Sequence, residues 1–116
     1  MTSPIIDMAQ KLGQAVAEST QARALSAARK ELNEHKDILD TLQAYQKQAG
    51  HMQELEQQNK PIEVDEKRKF QELHDKLVAS DVFKKYTVAE MEFVDLMRQV
   101  NTTIRKQIAD SDKPAK

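Results

Sequence analysis

The sequence has no cysteine, no tryptophan, two glycines and three prolines in 116 residues. Without cysteine there is no disulfide, thiolate zinc site, cysteine-ligated iron–sulfur cluster or cysteine nucleophile. Glycine and proline are the residues that make tight turns and end regular structure. Between Gly13 and Pro114 only Gly50 and Pro61 interrupt the chain. Long apolar runs are missing too. No stretch approaches the roughly 18 residues of a membrane span, and no basic stretch leads into an apolar segment at the N-terminus, so a secretory leader is not expected. Neither charge sign dominates: 18 basic residues face 19 acidic ones, for a net charge of −1. That balance does not attract a polyanion. Lys67-Arg68-Lys69 and Lys84-Lys85 are flanked by Glu63, Asp65, Glu66, Glu72 and Asp81, and read as solvated helix faces. The expectation is a cytoplasmic protein that touches neither membrane nor nucleic acid directly.

What is present is helical periodicity. Ser3-Pro4 is a helix start, because serine accepts a bond from a first-turn amide and proline loses nothing at the first position. Ile5, Met8, Leu12 and Val16 follow at helical spacing. Ser19 or Thr20 caps a second segment lined by Leu25, Ala28 and Leu32, and Asn33 to Lys36 marks a break or bend. Ile38, Leu42, Tyr45, Ala49 and Met52 alternate by four and three, the heptad spacing. They predict a helix of about 22 residues, roughly 33 Å long, with Gly50 tolerated inside it. Asn59-Lys60-Pro61 ends that helix, and Glu63 to Asp65 starts the next, where acidic residues suit the positive helix end. Phe70, Leu73 and Leu77 lead to a cap at Ser80-Asp81. From there Val82, Tyr86, Ala89, Phe93, Leu96, Val100, Ile104 and Ile108 extend one stripe over about 30 residues.

The fold class is therefore all-α: a long antiparallel helical hairpin turning near Pro61, preceded by an N-terminal helix. Residues 1–110 read as one helical domain and residues 111–116 as a disordered tail. Apolar residues at 39% and charged residues at 32% suit helices with a narrow buried stripe rather than a thick core. Small elongated chains bury little surface alone, so a helical-bundle homo-oligomer, most simply a dimer, is expected. The last helix is too long for a 22-residue partner to cover. Tyr86, Phe93, Leu96, Val100 and Ile104 are the candidate subunit-interface residues.

No chemistry-bearing constellation stands out. His35, His51 and His74 are far apart; the pairs Glu31/His35 and His51/Glu54 lack the repeated Glu-x-x-His form of di-metal bundles. The serines have no nucleophile-elbow glycines, and the isolated glycines make no phosphate loop. Tyr45, Phe70, Phe83, Tyr86 and Phe93 fall on or beside the apolar stripes and suit packing rather than base stacking. Catalytic residues, cofactors and metals are all expected to be none.

Several segments are similar to those of one family. Leu12 to Ser19 (LGQAVAES) resembles the opening helix of the YlbF/YmcA family of small bacterial helical regulators, which includes YheA-like proteins. Ile38 to Tyr45 (ILDTLQAY) fits its second block. Met52 to Ile62 (MQELEQQNKPI) resembles its glutamine-rich run ending in a Gly-Lys-Pro hairpin, with Asn59 where glycine is usual. Ala89-Glu90, Leu96 and Val100 to Ile104 look like its closing helix. The likeness covers about residues 4–109.

The resemblance implies an all-α fold that oligomerises through long helices, and a non-enzymatic regulatory or adaptor role. Some relatives act with partner proteins on ribonuclease Y, and so on RNA processing, which makes that machinery the implied partner. The chain departs from those relatives in having no cysteine, which puts an iron–sulfur role in doubt and sets it closer to the YheA-like branch. The alternative is a structural or holdase-like coiled-coil protein with no dedicated partner, which exposed Met8, Met52, Met91 or Met97 at a groove would favour.

Overall fold

Serine side chains set the first boundaries of the fold. In the computed structural model, which describes residues 3–112, Ser3 Oγ accepts from the Ile5 amide at 3.3 Å and Pro4 opens α1, Pro4–Ala17. Ser19 acts twice. Its hydroxyl donates to the Val16 carbonyl at 2.6 Å, closing α1, and accepts from the Ala22 amide at 3.1 Å, opening α2, Thr20–Glu34. One residue, His35, separates α2 from α3, Lys36–Gln57. The expected break between Asn33 and Lys36 thus falls at His35, whose ring nitrogen Nδ1 lies 2.9 Å from the Glu31 carbonyl. Gly50 sits within α3, as its neighbours' periodicity requires.

The end of α3 is a Schellman motif. The Lys60 amide donates to the Leu55 carbonyl at 2.8 Å and the Asn59 amide to Glu56 at 3.1 Å. This arrangement places the residue after the cap in the left-handed region. Asn59 is that residue, with φ 56°. Asparagine tolerates the conformation better than other side chains do, though glycine tolerates it best. The chain then restarts as α4, Val64–Val78, with Asp65 and Glu66 in its first turn. Ser80 Oγ accepts from the Phe83 amide at 3.2 Å and opens α5, the 31-residue helix Asp81–Ser111. Every described element is helical. The expectation of disorder for the tail falls largely on residues 113–116, which lie outside the described residues.

Two compact units divide the chain: one takes residues up to Ala27 and from Val88 onward, the other Ala28–Thr87. Helices α2 and α5 contribute to both. In the second unit α3 packs on α4. The pairing runs antiparallel: His51 meets Glu66, Tyr45 stacks on Phe70 with centroids 4.7 Å apart, and the Tyr45 ring lies 6.3 Å from His74. Partner numbers rise on α4 as they fall on α3. Leu77, only 1% exposed, is buried in this unit with Ala28 and Leu32; full burial of a leucine stabilises by about 1.5–3 kcal/mol. An ion pair, Lys85 to Glu31 at 3.7 Å, joins α5 to α2 within the same unit. The other unit buries Leu25 and Ala89.

Candidate functional site

Helix α1 is strongly amphipathic yet buries none of its residues. Ile5, Ile6, Met8 and Leu12 are all exposed, Ile5 to 76%. In the same unit Leu12 lines a shallow groove of about 310 Å³ with Leu96, Val100 and Ile104, and with Gln99 and Thr103. The groove exists because Leu96, Val100 and Ile104 recur every four residues and so share one face of α5. Leu96 and Val100 are half-buried there. Ile104 keeps 46% of its surface exposed and Ile108 more. A contiguous line of apolar side chains left in water is the mark of an interaction surface.

The five residues singled out from sequence are thus not all in one place. Leu96, Val100 and Ile104 are brought together beside Leu12. Phe93 lies half-buried one turn away, lining a separate hollow with Val94 and Met97. Tyr86 is half-buried and belongs to the other unit, Ala28–Thr87.

A polar cluster in the helical hairpin escaped the sequence reading. Gln48 is buried in the middle of α3, and its amide donates to both the carboxylate and the main-chain carbonyl of Glu66 on α4. His51 Nε2 lies 3.7 Å from the other carboxylate oxygen of Glu66, close enough for an ion pair when the imidazole is protonated. His51, noted in the sequence only for sharing a helix face with Glu54, thus has an acidic neighbour across the hairpin. Nothing in a glutamine-rich helix distinguishes Gln48 from Gln43 or Gln46, since its burial depends on α4. Among the described residues no group of three or more His, Asp or Glu is placed to hold a metal ion, and no helix is long and apolar enough to cross a membrane.

On α5 the carboxylate of Asp95 accepts from the Arg98 guanidinium and, at 2.9 Å, from the Gln99 amide. These bonds, Arg98's first, hold the Asp95 carboxyl below the usual aspartate value.

These features define a small all-α protein that presents apolar helix faces to solvent. Its family follows from the sequence match: a family model described as control of competence regulator ComK, YlbF/YmcA, covers residues 5–109, and the chain belongs to that family. It is thus a member of a regulatory family, as the helical blocks of the sequence suggested. No curated protein matches the chain.

Proposed function

We propose that this protein is a non-enzymatic cytoplasmic adaptor that works as a homodimer, with Leu96, Val100 and Ile104 at the subunit contact and Phe93 and Tyr86 beside it. The supporting observation is the groove formed with Leu12, open to water beside Ile104 and Ile108. Covering each large apolar side chain is worth roughly 1.5–3 kcal/mol, a large share of the marginal stability of a small domain. A second copy brings the same apolar stripe to the contact, as a two-fold interface requires.

Sedimentation of the wild-type chain and of Val100→Asp tests the interface. A dimer at tens of micromolar that becomes monomeric on substitution supports it; a wild-type monomer rules it out. The partner proposed for the dimer is the ribonuclease Y machinery, on the strength of the family resemblance alone. Co-purification from the native host, lost in the Val100→Asp variant, is the expected result. Stable dimers that never retain a component of that machinery would overturn the partner and leave the dimer standing.

A second reading, a holdase-like protein with no dedicated partner, is favoured by one observation: Met8 and Met91 are both largely exposed. Methionine surfaces adapt to varied ligands. Suppression of the aggregation of an unrelated unfolded protein, at stoichiometric ratio, separates this reading from the adaptor.

A further inference from the structure

Helix α5 carries a second apolar line that the groove does not use. Val88, Met91 and Val94 recur every three residues and are 55%, 70% and 57% exposed. At 100° per residue their line is centred roughly 180° around the helix from that of Leu96, Val100 and Ile104. This outward line continues into Arg98, Thr102 and Arg105, which border a shallow hollow of about 390 Å³ with Phe93, Val94 and Met97. Glu90 and Glu92 stand on either rim of the apolar triplet. Arg98 is shared with Asp95, whereas Arg105 has no partner among the described residues. All of these residues belong to the unit that contains Val88 onward.

Exposed apolar residues are ordinary when scattered, but Val88, Met91 and Val94 are aligned on one face, and a contiguous exposed apolar line marks an interaction surface. Three large apolar residues in line, followed by two guanidinium groups seven residues apart, match one face of another helix. Arg98 and Arg105 are two turns apart, about 10.5 Å along the axis. An opposing helix meets them with carboxylates at the same two-turn spacing, and meets the triplet with apolar residues at i, i+3 and i+4. Guanidinium groups bind carboxylates with two parallel hydrogen bonds, which adds orientation to attraction. The acidic rim and the basic run also differ in sign, so the partner helix docks in one direction.

We propose that the outer face of α5, from Val88 to Arg105, is a docking site for an acidic amphipathic helix of a partner protein. The apolar triplet and Arg105 lie on the side of α5 away from the groove, whereas Phe93, which borders the hollow, stands beside the proposed subunit contact and is not counted in the site.

Two labelled peptides of about five helical turns test the proposal against the full chain. Both carry leucines along one half, and the second half holds either two glutamates seven residues apart or two lysines in their place. The acidic peptide is expected to bind with a micromolar Kd that weakens with added salt, and the basic one at least tenfold more weakly. Met91→Gln and Arg105→Glu should each weaken the acidic peptide tenfold or more, with helicity by circular dichroism and sedimentation unchanged. Equal binding of both peptides, no binding of either, or indifference to both substitutions overturns the proposal. A change in self-association on Met91→Gln would also overturn it, by showing that a second copy covers this face.

Discussion

Gln48 and Glu66, eighteen residues apart, hold α3 and α4 in register through two hydrogen bonds from one side-chain amide, to the carboxylate and the main-chain carbonyl of Glu66. Gln48 is buried, whereas the Glu66 side chain keeps about a third of its surface in water. Bonds to charged groups are worth about 1.5–3 kcal/mol when well shielded, and partial exposure of Glu66 lowers that figure. Gln48→Leu is therefore expected to destabilise by about 1–2 kcal/mol, while Glu66→Gln, which keeps a carbonyl acceptor, should cost less. Urea unfolding of both variants checks the order; an unchanged Gln48→Leu would show that the register rests on apolar packing alone.

Asn59 should respond to substitution in the order that its left-handed backbone dictates. Asn59→Gly removes the Cβ penalty and is expected to match or exceed the wild type. Asn59→Val, β-branched at φ 56°, should lose about 1–2 kcal/mol. Thermal unfolding of the pair decides it, and equal melting temperatures would contradict the assignment of strain to this residue.

Gly13 and Gly50 both lie inside helices, neither has positive φ, and a Cβ at either position would meet nothing within 4 Å. Alanine there reduces the freedom of the unfolded chain at no steric cost. Each substitution should add about 0.5–1 kcal/mol of stability. A loss at either site would mean that the small side chain serves a contact with another molecule, which self-association measurements on Gly13→Ala would reveal.

Asp95 gives a pH dependence with a defined sign. Its carboxyl titrates below the ordinary aspartate value because Arg98 and Gln99 bond the charged form. A depressed folded-state value stabilises above the unfolded value of about 3.9 and is lost as pH falls through the lower folded midpoint. Carbon-detected NMR titration should find the Asp95 midpoint shifted down in the wild type and raised in Arg98→Leu. An unshifted wild-type midpoint would remove the intrahelical network.

Much of the fold was legible because several helix boundaries are set locally. Ser3-Pro4, Ser19 and Ser80 cap helices through bonds to residues two or three positions on, so the signal lies in adjacent letters. Asn59 was legible as a stand-in for glycine, and its backbone angle gives the reason. What could not be read were properties that depend on a second element. Gln48 is polar, sits among other glutamines, and is buried only because α4 crosses it. Val88, Met91 and Val94 are off the main stripe and would count as scattered apolar residues until their common exposure is seen. The end of α5 at Ser111 lies one residue past the expected domain limit, because helix ends fray without a sharp local signal.

The placement of the tyrosines leaves one unit of this protein without a tyrosine or tryptophan signal. Tyr45, stacked on Phe70, and Tyr86 both fall within Ala28–Thr87, and the chain has no tryptophan. Dichroism in the tyrosine band therefore reports the α3–α4 unit, with Phe93 of the other unit absorbing at shorter wavelength, while far-ultraviolet dichroism reports both. Melting curves recorded in the two bands will coincide if the units unfold together and separate if they do not, with no label added to the protein.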